Sequence, residues 1–307
     1  MKKRNSLIEL YRFILSLNVV KSHSLFPVSS PYFTPGRVSV EFFFVLSGFF
    51  FSRTLDRLED LPLRESLPKL LYSKVKPLFF PLVIGVLANT VFCFISFFRT
   101  GSIFEANIWG YLWYVPAMIV SMCIYLGLRR LFKSERSFYL FVLMVFAAAT
   151  ILRFSGLLYS WGYCRAFSTL SLGMLVSRLP KINIKRRGLL WLAVVPLALA
   201  TFSVVALGLG NLSLGGFMWM EAILDLILYP ALIYFSLQID FSFPLFNYLG
   251  ALSFGLYAFQ CPADLLREIG VSDVRILFAV ILGATLAEDF IKRIYRKIKN
   301  KRLQDAA

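Results

Sequence analysis

Arg12 and His23 are separated by ten residues within an otherwise apolar stretch, Leu7 to Phe26, and His23 is the single histidine of the chain. At about 100° per residue the two side chains fall within about 20° of each other around a helix. At 1.5 Å per residue they stand about 16 Å apart along it. One helix face therefore carries a fixed cation and a titratable base. Both groups are costly inside a bilayer, which marks them as functional residues. A second apolar stretch carries Glu41 near its beginning, and the loop before it, Pro27 to Arg37, contains Pro27, Pro31, Pro35 and Gly36. Such a loop reads as a tight turn that brings Glu41 toward the His23 end of the first helix. A carboxylate beside an imidazole raises its basicity and fixes its tautomer. That is the arrangement of a general base and its orienting partner, suited to activating a hydroxyl. The alternative is a structural pair of Glu41 with Lys21 or Arg37. Lys21 itself points almost opposite to Arg12 and reads as a snorkelling side chain.

The elements that must position these groups are membrane helices. The chain has 307 residues, of which 58% are hydrophobic and 17% aromatic, far from the balance of a soluble domain. Ten apolar stretches of roughly spanning length run over 7–27, 38–52, 78–98, 108–128, 137–156, 162–178, 188–207, 215–237, 245–263 and 274–291. The second is short unless Arg53 snorkels. The expectation is an all-α integral membrane protein, a bundle of about ten transmembrane helices forming one domain over residues 1–307. A cytoplasmic connector is expected over 53–77 and a basic cytoplasmic tail over 292–307.

The net charge of +16 has a distribution that argues for a membrane topology and against nucleic acid. Lys2, Lys3 and Arg4, the 53–77 connector, Arg129 to Arg136, Arg178 to Arg187 and the tail hold most of the cations. The intervening segments hold few, among them Arg37, Arg99, Arg153, Arg267 and Arg275. This pattern follows the positive-inside rule and puts both termini in the cytoplasm. The first apolar run lacks a small-residue cleavage site, so it reads as a retained span. In the connector, Pro62, Pro68 and Pro77 are expected to break up an amphipathic stretch. Cys93, Cys123, Cys164 and Cys261 fall inside spans without metal-ligand spacing and read as small core residues.

Other polar residues in spans admit two readings each. Glu221 and Asp225 are four apart and share a helix face. They either bind hydroxyls of a ligand or pair with Arg165 of the sixth span, and pairing is the favoured reading. Arg165 either faces phosphates or neutralises a carboxylate. Asn18 and Asn89 read as interhelical hydrogen-bond partners. Trp161 and Trp219 read as interfacial anchors, Trp113 and Tyr114 as anchors or as cavity-lining rings. Glu288 and Asp289 precede Lys292 and Arg293 and read as local helical ion pairs.

The combination of Arg12 and His23 with Val40-Glu41-Phe42-Phe43-Phe44-Val45-Leu46-Ser47-Gly48-Phe49 resembles the acyltransferase type 3 family of membrane-bound acyltransferases. Leu112-Trp113-Tyr114-Val115, Leu172-Gly173-Met174-Leu175 and Leu249-Gly250-Ala251-Leu252-Ser253-Phe254-Gly255-Leu256-Tyr257 extend the resemblance over most of the chain. It implies a ten-span bundle that moves an acyl group, usually acetyl, from cytoplasmic acyl-coenzyme A to a hydroxyl of a glycan. By the resemblance His23 is the catalytic histidine, Arg12 contacts the donor and Glu41 matches an acidic motif position. Where the family carries Arg-x-x-Arg before the third span, this chain offers Lys74 and Lys76, point charges without a planar fork. Gln260 stands where a histidine often follows the tyrosine, and Ser39 replaces a usual glycine.

The sequence therefore leads to an inner-membrane O-acyltransferase that uses acyl-CoA, with acetyl-CoA expected, and no metal. Its acceptor would be a cell-surface polysaccharide or a lipid-linked sugar precursor. His23 and Glu41 are the expected catalytic pair; Arg12, Lys74, Lys76 and Arg165 the donor-binding residues. Trp113, Tyr114, Glu221, Asp225, Tyr257 and Gln260 are the expected acceptor-side residues. A transporter or flippase could use the same ionisable groups as a relay, but no internal repeat is visible. A non-catalytic scaffold of envelope assembly has little reason to keep Arg12, His23 and Glu41 together.

Overall fold

The computed structural model describes residues 5–22, 36–101, 113–158, 162–182, 188–207, 214–268, 270–271 and 273–305, and these are helical apart from short turns. In chain order the helices are α1 (Ser6–Val20), α2 (Gly36–Leu58), α3 (Leu63–Thr100), α4 (Tyr114–Arg129), α5 (Glu135–Phe154), α6 (Gly162–Val176) and α7 (Gly188–Leu207). They are followed by α8 (Leu214–Ile223), a π turn (Leu224–Leu228), α9 (Tyr229–Ser236), α10 (Pro244–Glu268) and α11 (Val274–Asp305). Among the described residues, four helical segments are long and apolar enough to cross a membrane: Gly36–Leu58, Glu135–Phe154, Gly188–Ala206 and Met218–Ser236.

Close backbone approach organises the bundle. A Cβ on Gly48 would lie 2.1 Å from the Leu170 carbonyl oxygen, and one on Gly173 2.0 Å from that of Val45. Helices α2 and α6 therefore touch backbone to backbone, and they run parallel, since Glu41 meets Arg165 and Asp56 meets Arg178. A Cβ on Gly250 would strike Glu9, 2.8 Å from its Cα, which sets α10 as tightly against α1. Helix α5 runs antiparallel to α2, with Ser52 bonded to Tyr139 at 2.7 Å at one end and Glu41 to Arg153 at the other.

One end of the bundle gathers the beginning of α1, the end of α2 and the turns after α4, α6 and α9. There Asn5 accepts from the Leu7 and Ile8 amides, capping α1, and donates to the Ser236 and Ile239 carbonyls at 2.9 and 2.8 Å. Arg130 donates to the Leu58 carbonyl at 2.6 Å and Arg129 pairs with Glu59, closing the C-terminus of α2. The opposite end gathers the end of α1 and the beginnings of α2, α6 and α8.

The 53–77 stretch departs from expectation. Residues to Leu58 extend α2, a turn crosses Glu59 to Pro62, and α3 then runs unbroken through Pro68 and Pro77. Only Pro62 acts as a boundary, at the N-cap position. Each internal proline removes one donor, but the remaining bonds of a helix of 38 residues hold the element together.

Candidate active site

Glu41 lies in the second turn of α2 and is fully buried. Its Oε1 accepts from Arg153 near the C-terminus of α5 and from Arg165 near the N-terminus of α6. Arg153 Nη2 also meets Glu221 Oε2 at 3.2 Å and Asp225 Oδ2 at 2.8 Å. Arg165 reaches Glu221 at 3.5 Å, and the half-buried Arg37 donates through Nε to the other Glu221 oxygen at 3.0 Å. Three guanidiniums thus face three carboxylates, and their formal charges cancel. Charges taken this far out of water persist only when so paired.

Local sequence explains the assembly. Glu221 near the end of α8 and Asp225 in the π turn that follows are four residues apart and bring both carboxylates to Arg153. Pro230 has no amide hydrogen, and just before it the helix loosens into a π turn in which the Tyr229 amide reaches back to the Leu224 carbonyl. Such bulges recur at functional sites. Tyr229 is buried below the cluster, its ring edge-on to Phe42 at 5.5 Å. Beneath Arg153 lies the Phe154 ring, 4.6 Å away.

A second grouping forms around Arg12, which is paired with Glu9 at 2.8 Å and lies within electrostatic reach of the Tyr114 hydroxyl. The Tyr114 ring packs edge-on to Tyr257 at 5.4 Å and Phe44 at 5.3 Å. Trp113 lies against Phe44 at 5.9 Å and closes over Gly162, where a Cβ would meet its ring at 2.6 Å. Arg12, Tyr114, Trp113 and Tyr257 therefore form one neighbourhood contributed by α1, α4 and α10.

His23 lies outside the described residues. Its predecessor Ser22 packs at Gly36, where an added Cβ would sit 2.4 Å from Oγ, so the described chain leaves α1 at the end of α2 that bears Glu41. Gln260 belongs to α10, and its side chain lies outside the described residues.

Several expectations are corrected by the geometry. The cations on Glu41 are Arg153 and Arg165 rather than Lys21 or Arg37. Arg37 goes to Glu221, and Lys21 reaches the Ala206 carbonyl at 3.5 Å. Arg153 is no outer-loop charge: it is 0% exposed and contacts all three carboxylates. The sequence signal for it was its place inside the apolar stretch 137–156, where a cation without a partner is costly. Arg165 does not join the lysines of the expected donor site. Lys74 is near Arg57, and burial together with that guanidinium pushes its ammonium below the usual lysine range. Arg57 is sixteen residues beyond Glu41 on α2, about 24 Å along the axis. Lys76 bonds to Tyr72 at 2.9 Å. Pairing of Glu221 with Arg165 and of Asp289 with Arg293, at 2.7 Å, follows the local reading of those residues. So does the bond from Asn18 to Ser39, at 2.9 Å.

A family model described as an acyltransferase domain matches residues 5–287. No curated protein and no solved structure matches the chain. The match contains both polar groupings and every expected site residue, and the chain belongs to the acyltransferase type 3 family.

Proposed function

We propose that this membrane acyltransferase carries an acyl group, acetyl in the first instance, from cytoplasmic acyl-CoA to a hydroxyl of a cell-surface polysaccharide or its lipid-linked precursor. His23 takes the proton as the hydroxyl oxygen attacks the thioester carbonyl. The new C–O bond forms, the C–S bond breaks, and the proton passes to the departing coenzyme A thiolate. General-base assistance of this kind contributes about 10² to 10⁴-fold. Arg12 contacts the donor, and Lys74 and Lys76 attract its phosphates from the end of the bundle that carries most of the basic residues. That end is the cytoplasmic one in this reading, which sets both termini on the cytoplasmic side of the inner membrane.

The observation that carries the proposal is the state of Glu41 within a chain of this family. One carboxylate oxygen is held by two guanidiniums, while the other, Oε2, is buried without a hydrogen-bond partner among the described residues. That oxygen is available to orient an imidazole. Arg165 then serves to hold Glu41 rather than to touch the donor. Trp113, Tyr114, Tyr257 and Gln260, with Glu221 and Asp225, line the acceptor side.

The test is mass spectrometry of surface glycans from a deletion strain complemented with wild type or with His23→Ala. Wild type restores an acyl mass that the inserted but inactive variant does not. Equal restoration by both would remove His23 from the chemistry.

A further inference from the structure

Helix α11 runs antiparallel to α10 and returns to the basic end of the bundle, since Thr285 packs on Gly255 and Arg293 lies over the Tyr248 ring, 5.0 Å from its centroid. One face of it, Leu277, Ile281, Thr285 and Glu288, is buried. On the opposite face Phe290 and Ile294 are exposed, Phe290 to 63%, and with Arg293 and Lys297 they line a groove of about 470 Å³. These four positions share one side of a helix by their spacing. Arg275 and Arg293 are eighteen residues apart, about 27 Å along the axis, close to the roughly 30 Å of a hydrocarbon core. With one arginine at each boundary, Arg293 and Lys297 stand at headgroup level and Phe290 lies just beneath.

The groove has cations to spare. Arg293 donates through Nε to Asp289 at 2.7 Å, which leaves its two terminal nitrogens without a hydrogen-bond partner among the described residues. Lys297 makes no ion pair among those residues. The nearby acids, Glu288 and Asp289, are taken by Lys292 and Arg293, while residues 292–302 hold seven Lys or Arg and no acid. We propose that this groove binds an anionic phospholipid of the leaflet at the basic end, with its phosphate between Arg293 and Lys297 and an acyl chain against Phe290 and Ile294. The apolar floor selects a lipid over free phosphate, to which a hydrocarbon wall offers nothing. The surplus of cations selects an anionic headgroup over a zwitterionic one, whose ammonium group they repel. Basic clusters at the end of a spanning helix attract anionic lipid in this way.

The test is native mass spectrometry of the full-length protein released from detergent micelles after titration with phosphatidylglycerol, or with phosphatidylcholine of the same acyl chains. Wild type should hold phosphatidylglycerol more tightly. Arg293→Gln combined with Lys297→Gln should weaken that binding about thirtyfold, the worth of two cations at an anionic surface. Phosphatidylcholine binding and the thermal midpoint should stay as they were, because an exposed ion pair such as Arg293 with Asp289 contributes little to stability. Should the double variant prove unstable, Lys297→Gln alone, at an exposed position, should weaken binding about fivefold. Lys299→Gln with Arg302→Gln lowers the tail charge equally but lies off the groove by helical periodicity, and should leave binding nearly unchanged. Equal loss in both pairs would mean a diffuse effect of tail charge and would overturn the groove, as would equal retention of the two lipids by wild type. Displacement of phosphatidylglycerol by millimolar inorganic phosphate would overturn the lipid as the occupant. None of these outcomes depends on acyl transfer.

Discussion

Glu41 shows how much a single buried carboxylate depends on its neighbours. Its Oε1 meets two guanidiniums, and removing its charge leaves Arg153 and Arg165 with less compensation in a dry interior. Breaking a buried pair from one side costs about 3–5 kcal/mol, whereas removing both partners costs much less. Glu41→Gln and Arg165→Gln should therefore each lower the thermal midpoint of the detergent-solubilised protein strongly, with the double variant more stable than the sum of the two losses. Strict additivity in that double-mutant cycle would mean the two side chains do not act as a pair. At this scale the sequence was partly legible. Glu41, Glu221, Asp225 and Arg165 stand out as charges within apolar runs. Arg153 was missed because it ends such a run, where a cation ordinarily faces headgroups and water.

Among the elements, the contact of α2 with α6 governs the site, since these helices hold Glu41 and Arg165 opposite each other. Their approach depends on Gly48 and Gly173, whose hydrogens face carbonyl oxygens of the partner helix. Gly48→Ala forces the backbones apart, and overpacking of this kind costs about 1–3 kcal/mol. The expected result is reduced thermal stability together with reduced transfer, because Arg165 retreats from Glu41. A fully stable and active Gly48→Ala variant would contradict the geometry. Both glycines lie in the motifs that identify the family, and the structure supplies their physical reason: a helix pair with no room for a methyl group. The prolines of α3 illustrate the converse. Local chemistry predicts breaks at Pro68 and Pro77, but one missing donor does not stop a long helix that is otherwise continuous.

For the whole molecule, the two ends of the bundle differ in kind. The end that gathers Arg57, Arg129, Arg130 and Arg178 is basic and partly exposed, and its cations pair with Asp56, Glu59 and Glu135. Nearer the other end lies the sealed, charge-balanced cluster. If the basic end faces the cytoplasm, a reporter that folds only there must be active when fused after the α11 tail and inactive when inserted between α5 and α6. The reverse pattern would invert the proposed entry sides of donor and acceptor. The sequence by itself determined that the chain is helical, that it is built for a membrane and that it carries the motifs of an acyltransferase. Those properties follow from composition, run length and local spacing. Only the tertiary structure decided that Glu41 is shared by Arg153 and Arg165, that Arg37 serves Glu221, and that Arg165 is remote from Lys74 beside Arg57. Helical periodicity assigns a side chain to a face, but which helix that face meets is set by packing among all of them, and buried charges take their partners from that arrangement.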